Sequence, residues 1–251
     1  DTAVIMPPTY GMYGVAAAIN DDEVRSVRLD ADFNLDSEEL LGACDGRTKV
    51  IFLCSPNNPS GNAFELKQLL DICDRFPGVV VVDEAYADFS EKGSLAKEAT
   101  VRDNLIVLQT LSKARAMAGL RIGLAISSEE IIRLMSMVKY PYNLSRAAME
   151  KAFGFLENAI DDEVNTIVNE RKRLASILPR FPFVRKVFPS DANFILVRVD
   201  DADALYDYLL EKGIIVRNRT RVPGCAGCLR LTVGLPAENE ALLNALDSYT
   251  V

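Results

Sequence analysis

The chain has 251 residues, 49% of them hydrophobic, so it can bury a core large enough for one large domain or for a medium and a small one. It carries 28 Lys and Arg against 36 Asp and Glu, a formal net charge of -8, and such an acidic surface argues against nucleic acid as a partner. No run of apolar residues approaches the roughly 18–20 needed to span a bilayer, so we expect no membrane association.

Short β-branched runs alternate with segments of helical periodicity in the first part of the chain, a pattern typical of an α/β fold with a largely parallel sheet. The predicted strands are residues 3–6, 24–29, 50–54, 79–83, 105–110 and 121–126. The predicted helices are residues 13–19, 37–44, 64–75 and 129–138. Four consecutive valines at 79–82 predict a central strand buried on both faces.

Residues 145–178 contain no proline and predict one long helix or two in line. The rest of the chain predicts strands at 184–188, 194–199, 214–218 and 229–233 and helices at 202–211 and 238–249. We therefore predict a large α/β domain over 1–145, a connecting long helix over 146–180 and a small α+β domain over 181–251. The chain enters an apolar run almost directly after Asp1, and we expect further sequence upstream.

The chain contains no histidine, which removes the commonest general base, so proton transfer would fall to Lys, Tyr, Cys, Asp or Glu. Its five cysteines, an odd number, favour a reducing cytoplasm over a disulfide framework. Only Cys225 and Cys228 lie close together in sequence. Without histidine or a second close pair, they indicate a loop with two thiols and no metal site.

Three segments place polar residues where a predicted strand ends, which is where open α/β sheets bind their ligands. In the first, residues 54–61, two prolines and a glycine favour an irregular turn from which Asn57 and Asn58 can point amides into a crevice. A simple Asn-Pro turn is the alternative. In the second, Asp83 follows four valines, where its carboxylate needs a cation or hydrogen-bond donors. A helix N-cap is the alternative.

The third segment, residues 109–123, carries two hydroxyls, Thr110 and Ser112, and two cations, Lys113 and Arg121, among small residues. Together these groups suit an anionic phosphate beside a reactive amine. A lysine that follows a buried strand is otherwise usually a solvated surface residue.

Taken together, the three segments resemble the fold-type I aminotransferases that depend on pyridoxal 5'-phosphate, most closely their histidinol-phosphate branch. The matching motifs, in family order, are residues 7–13, 55–61, 83–86, 110–113, 118–123 and 227–234. The resemblance implies a mostly parallel, seven-stranded type of sheet sandwiched by helices, a small C-terminal α+β domain and a homodimer. The family's glycine-containing phosphate loop is absent from this chain, and Arg115 stands where an aromatic or small residue is expected.

The resemblance also implies how a cofactor ring would be held. Lys113 would carry the cofactor as a Schiff base and then act as the base that moves the substrate proton. Asp83 would pair with the pyridinium nitrogen. Asn57 and Tyr86 would hydrogen-bond the phenolic oxygen of the ring, and Tyr10 would stack on its face.

Four further residues are implied in anion binding. Ser112 and Arg121 would hold the cofactor phosphate. Arg230 would bind a substrate carboxylate as a two-pronged fork, and Arg217 would bind a substrate phosphate. A surface ion pair is the alternative for either of these last two arginines.

The implied reaction is transamination between L-histidinol phosphate and 2-oxoglutarate, a step of histidine biosynthesis. One alternative is an aromatic amino acid aminotransferase or a threonine-phosphate decarboxylase-like enzyme. Arg217 separates phosphorylated from aromatic substrates, because a substrate without phosphate gives that position little reason to be cationic. An inactive or ligand-sensing module of the same fold is the alternative from another class.

Overall fold

The computed structural model describes residues 1–157 and 159–250, and its larger sheet has six strands within those residues. The strands are β1 (Thr2–Ile5), β2 (Glu23–Ser26), β3 (Thr48–Cys54), β4 (Val79–Asp83), β5 (Leu105–Thr110) and β6 (Gly123–Ile126). They lie in the order β2-β1-β3-β4-β5-β6, and every pair is parallel except β5 with β6. The mostly parallel sheet is therefore confirmed, with six described strands where the resemblance implied seven.

The helices of this part follow the predicted positions closely. They are α1 (Met12–Ile19), α2 (Ser37–Gly42), α3 (Leu66–Arg75), α4 (Ala96–Ala99) and α5 (Glu129–Val138). The short α4 was not predicted. Asp36 caps α2 by accepting from the backbone N–H groups of Glu38 and Glu39, which satisfies donors that a helix start leaves without partners.

Strand β4 runs through the middle of the sheet, between β3 and β5. Val80 and Val82 have no exposed surface, and Val81 is 6% exposed. The prediction of a central strand buried on both faces is confirmed. Strand β4 ends in Asp83, so a carboxylate directly follows the four apolar valines at the end of this central strand.

The second sheet is built from the C-terminal residues and is antiparallel. Its strands are β7 (Val184–Val187), β8 (Phe194–Val199), β9 (Arg217–Asn218) and β10 (Cys228–Thr232), in the order β7-β8-β10-β9. The helices of this half of the chain are α6 (Arg146–Leu156), α7 (Asp161–Ile177), α8 (Ala202–Glu211) and α9 (Pro236–Asp247). Leu174 of α7 belongs to the core beneath this sheet.

The stretch predicted as one long helix or two in line consists of two helices, α6 and α7. Asn158, within that stretch, lies outside the described residues. Asp161, Asp162 and Glu163 occupy the first turn of α7, where negative charge is favourable next to the helix N-terminus, so a new helix start is favoured there. The division into domains at residues 145 and 180 stays a prediction.

Short contacts join the two halves next to the loop after β3. The N–H of Asp191 donates to the carbonyl of Gly61 (2.7 Å), and the Asp191 carboxylate accepts from the N–H of Ala63 (2.9 Å). Gly61 has φ 92°, and a Cβ there would lie 2.6 Å from the Ser190 hydroxyl. Only glycine fits both the backbone conformation and this close approach.

Arg171 of α7 should be a large contributor to stability, because it is 6% exposed and its Nη1 donates to the carbonyls of Phe89 (3.0 Å) and Ala192 (2.8 Å). Burial lowers the pKa of this guanidinium. Arg171→Met removes the donor and leaves two buried carbonyls unpaired, at about 1–3 kcal/mol each, offset in part by relief of the buried charge. We expect urea unfolding to show a net loss of about 1–4 kcal/mol.

Lys172→Met is the matched control for this measurement. Lys172 is the next residue along α7, and its ammonium pairs with the exposed Glu91 carboxylate at 2.8 Å. An exposed pair of this kind contributes about 0–1 kcal/mol. Equal losses for the two variants would contradict the bridging role of Arg171.

Candidate active site

A cavity of about 610 Å³ lies where β4 and β5 end, opposite β9 and β10 of the second sheet. We call it the central cavity. Eight of the nine site residues predicted from the sequence line it: Tyr10, Asp83, Tyr86, Ser112, Lys113, Arg121, Arg217 and Arg230. Lys113 and Asp83 therefore face the same space.

The carboxylate of Asp83 is oriented by two donors. Its Oδ1 accepts from the N–H of Ala85 (3.0 Å), and its Oδ2 accepts from the hydroxyl of Tyr13 (2.7 Å). The short 3-10 helix Ala87–Phe89 begins after Tyr86, so Asp83 is not its N-cap, and the N-cap alternative is wrong. A carboxylate held this way presents a fixed negative charge to the central cavity.

Tyr13 was not singled out in the sequence, although it closes the first matching motif. Its ring is 5% exposed and stacks on Phe52, with the ring centroids 5.0 Å apart. Burial raises the pKa of its hydroxyl far above the ordinary value, and the nearby Cys54 and Asp83 raise it further. The hydroxyl therefore remains protonated and donates to Asp83 throughout the working pH range.

Lys113 follows β5 on a tight loop that returns to β6. The N–H of Leu111 donates to the carbonyl of Ile122 (3.2 Å), which closes the loop at its base. Arg121 adopts the left-handed conformation (φ 58°), which costs a non-glycine residue roughly 1–2 kcal/mol. This loop brings both cations to the central cavity, where the Nζ of Lys113 lies 5.1 Å from the ring centroid of Tyr86.

Asn57 does not line the central cavity, and this corrects the sequence prediction. Its side-chain Nδ2 donates to the carbonyl of Pro8 (2.8 Å), and its Oδ1 accepts from the hydroxyl of Thr9 (3.0 Å). The neighbouring Asn58 lines the cavity instead, and its Oδ1 accepts from Nη1 of Arg230 (2.6 Å). Adjacent residues on an irregular turn point in different directions, so the sequence offered no periodicity from which to choose between them.

Three arginines enter the cavity from the second sheet. Arg217 on β9 lies directly opposite Arg230 on β10 in the antiparallel register. Arg219, which the sequence analysis overlooked, lines the same cavity. Burial lowers the pKa of both Arg219 and Arg230, and the neighbouring arginines lower it further. The signal for Arg219 was its position two residues after Arg217, because alternate residues of a strand share a face.

The charge of the central cavity is opposite in sign to that of the chain. Five basic residues line it, against one carboxylate, that of Asp83: Lys113, Arg121, Arg217, Arg219 and Arg230. The whole chain, by contrast, has a net charge of -8. Like charges so close are unfavourable without an anion between them, so this cavity is suited to ligands with several negative charges.

The described residues contain no group of three or more His, Cys, Asp or Glu side chains able to hold a metal ion. Cys225 and Cys228 are free and buried, and burial raises the pKa of the Cys225 thiol to about 12. Nor is any helix within residues 1–157 and 159–250 long and apolar enough to cross a membrane.

This combination of a lysine and an aspartate at strand ends in a cationic cavity defines an aminotransferase-type site, and comparison with known proteins agrees. The family "aminotransferase class I and II" matches residues 1–246, and the chain belongs to it. The chain is 52% identical over 250 residues to the histidinol-phosphate aminotransferase of Parabacteroides distasonis. The alignment covers 99% of this chain and 72% of that protein. It is 47% identical to that of Flavobacterium psychrophilum, with the same coverage.

Solved structures show the same fold. The histidinol-phosphate aminotransferase of Clostridium acetobutylicum superposes with a TM-score of 0.92 at 25% identity, covering 99% of this chain and 77% of that one. That of Sinorhizobium meliloti, solved in complex with pyridoxal-5'-phosphate, gives a TM-score of 0.88 at 25% identity over 98% of this chain and 70% of that one. The L-threonine-O-3-phosphate decarboxylase of Porphyromonas gingivalis shares the fold, with a TM-score of 0.84.

Proposed function

We propose that this protein is a pyridoxal-phosphate-dependent transaminase that converts L-histidinol phosphate and 2-oxoglutarate to imidazole acetol phosphate and L-glutamate, a step of histidine biosynthesis. The observation that carries the proposal is the central cavity itself, with one amine, one oriented carboxylate and four arginines. Its charge suits a phosphorylated cofactor and anionic substrates together. The names of the similar proteins support the same reaction.

The residues present fit pyridoxal phosphate group by group. Asp83 would face the ring nitrogen, since its two protein donors fix the direction of its carboxylate. Ser112 and Arg121 would bind the phosphate. Tyr10 would cover the ring face. When bound, this cofactor supplies an electron sink for the pair released at the substrate's α-carbon.

Two neighbouring groups would bind the phenolic oxygen of the ring. Tyr86 is buried and reaches the central cavity with its hydroxyl end in a cationic neighbourhood, next to Arg219 and Arg230. Asn58, which lines the central cavity, would take the role that the sequence analysis gave to Asn57. The Arg230 contact occupies the oxygen of the Asn58 amide, which orients that side chain.

Lys113 would hold the cofactor through its amine and afterwards carry the proton removed from the substrate. A lysine amine suits both roles because it is a nucleophile and a base once deprotonated. The Tyr86 ring beside it limits where the Nζ can lie, which favours proton transfer over a short, fixed path. With no histidine in the chain, the central cavity offers this amine as its natural base.

The two substrates would use different arginines. Arg230 would bind the carboxylate of 2-oxoglutarate or glutamate next to the reacting carbon, because its guanidinium is fixed over the Phe194 ring (4.7 Å) and by Asn58. Arg217 would bind the phosphate of L-histidinol phosphate. The amino group leaves one substrate and arrives on the other, so both must occupy the same cavity in turn.

The test is a substrate comparison with the purified protein loaded with pyridoxal phosphate. We expect glutamate formation from L-histidinol phosphate and 2-oxoglutarate, and much less from L-phenylalanine. L-Threonine O-3-phosphate should yield no carbon dioxide. Decarboxylation, or a preference for the aromatic amino acid, would replace the proposed reaction with one of its alternatives while leaving the family unchanged.

A cytoplasmic homodimer is part of the same proposal. All five cysteines are free, as a reducing compartment would allow. Helices α5 and α6 expose large apolar side chains that a second copy could cover, among them Met137, Val138 and Phe153. Light scattering of the loaded protein measures the assembly directly.

A further inference from the structure

Arg219 continues the line of β9 beyond its last residue. Its backbone N–H donates to the carbonyl of Cys228 (2.8 Å), so the pairing with β10 extends past Asn218. Alternate residues of such an extended segment share a face. Arg217 and Arg219 therefore point to the same side, whereas the Asn218 side chain between them donates to Asp203 on α8 (2.5 Å).

The guanidinium of Arg219 is held in an unfavourable environment. It is half-buried, and burial together with the charge of Arg217 lowers its pKa. Its Nε is buried and has no hydrogen-bond partner among the described residues, and the same holds for the Nε of Arg230. Buried donors without partners are costly, so this arrangement is best explained by a ligand that supplies the acceptors.

Arg219 also lies at a boundary between two spaces. Arg217 and Arg219 line the central cavity and also a second cavity of about 540 Å³ that includes Thr220 and Arg221. We call this second space the outer cavity. Arg221 lines the outer cavity without lining the central one. A group bound between Arg217 and Arg219 would thus lie where the two cavities meet.

We propose that Arg219 is a specificity-determining residue that binds the substrate's dianionic phosphate monoester together with Arg217. The proposal rests on the proposed function and deepens it. A carboxylate carries one charge and two oxygens, which a single forked guanidinium satisfies. A phosphate monoester carries up to two charges and three terminal oxygens, so it gains from a second guanidinium. Arg219 thereby favours the phosphorylated substrate over a dicarboxylate that uses the same cavity.

The experiment compares Arg219→Gln with the wild-type holoenzyme in both half-reactions. We expect KM for L-histidinol phosphate to rise about 10- to 100-fold, the size of one lost hydrogen-bonded ionic contact, with kcat less affected. KM for L-glutamate should change less than about threefold. Arg219→Lys keeps the charge but loses the fork, so it should fall between Gln and wild type. Arg221→Gln is the control and should leave both KM values unchanged.

Isothermal titration with inorganic phosphate gives a readout that does not depend on turnover. Affinity should fall in Arg219→Gln and stay unchanged in Arg221→Gln. Equal losses toward glutamate and L-histidinol phosphate, or unchanged phosphate affinity in a folded Arg219→Gln or Arg219→Lys protein, would overturn the assignment. If the wild type ignores L-histidinol phosphate but binds phosphate through Arg219, the proposed reaction fails and the phosphate-binding role of Arg219 stands.

Discussion

Lys113→Ala is expected to abolish measurable amino transfer, with a fall in kcat of at least about 10²- to 10⁴-fold. That range is what a positioned general acid-base contributes, and the variant also loses the attachment point for the cofactor. No histidine is available to take over, and the carboxylate of Asp83 is occupied by Tyr13 and Ala85. The measurement is single-turnover conversion of glutamate by the loaded protein.

Lys113→Arg and a control, Lys67→Ala, test whether the Lys113 amine itself is required or only its positive charge. Lys113→Arg keeps a cation in the central cavity but has no amine that can be deprotonated, so it should be as inactive as Lys113→Ala. Lys67→Ala removes an exposed lysine from α3 and should behave as wild type. Borohydride reduction followed by peptide mass spectrometry should locate covalently bound cofactor on Lys113 in the wild type and in Lys67→Ala, and in neither Lys113 variant. Activity remaining in Lys113→Arg would contradict the role of the amine.

The sheet and most of its connections could be predicted because they depend on local patterns. The four valines before Asp83 define β4, and its predicted bounds agree with those observed. The predicted bounds of α5 also agree. Because parallel strands carry their ends to one edge of the sheet, locating the ends of β3, β4 and β5 also located the loops that form the site.

The sequence could not predict the directions of side chains on irregular turns or the register of short strands, because residues distant in sequence determine both. Asn57 and Asn58 are chemically identical neighbours, and the contacts of Asn57 with Pro8 and Thr9 decide which of them reaches the cavity. Strand β9 has only two residues, and its pairing with β10 places Arg217 opposite Arg230. Arg219 lies beyond the end of this strand, so only its spacing of two residues from Arg217 could have indicated that it shares a face with that residue.

Asp83→Asn should be the second most damaging substitution in the site. Asn keeps the shape of the side chain but removes its charge, so a cationic ring nitrogen would lose its partner in a half-buried position. Breaking such a pair costs about 3–5 kcal/mol, or roughly 10²- to 10⁴-fold in kcat/KM. Equilibrium dialysis should show a parallel fall in affinity for pyridoxal phosphate. Asp88→Asn makes the same chemical change at an exposed residue outside the central cavity and serves as control.

Tyr13→Phe tests whether the orientation of Asp83 matters in addition to its charge. The substitution removes one hydroxyl that donates to a carboxylate at 2.7 Å, which predicts a loss of about 10- to 100-fold in cofactor affinity. Because Tyr13 would act only through Asp83, Tyr13→Phe should add little to Asp83→Asn in the double variant. Additive losses would mean that the Tyr13 hydroxyl supports the site independently of Asp83. The two side chains would then be energetically independent despite their contact.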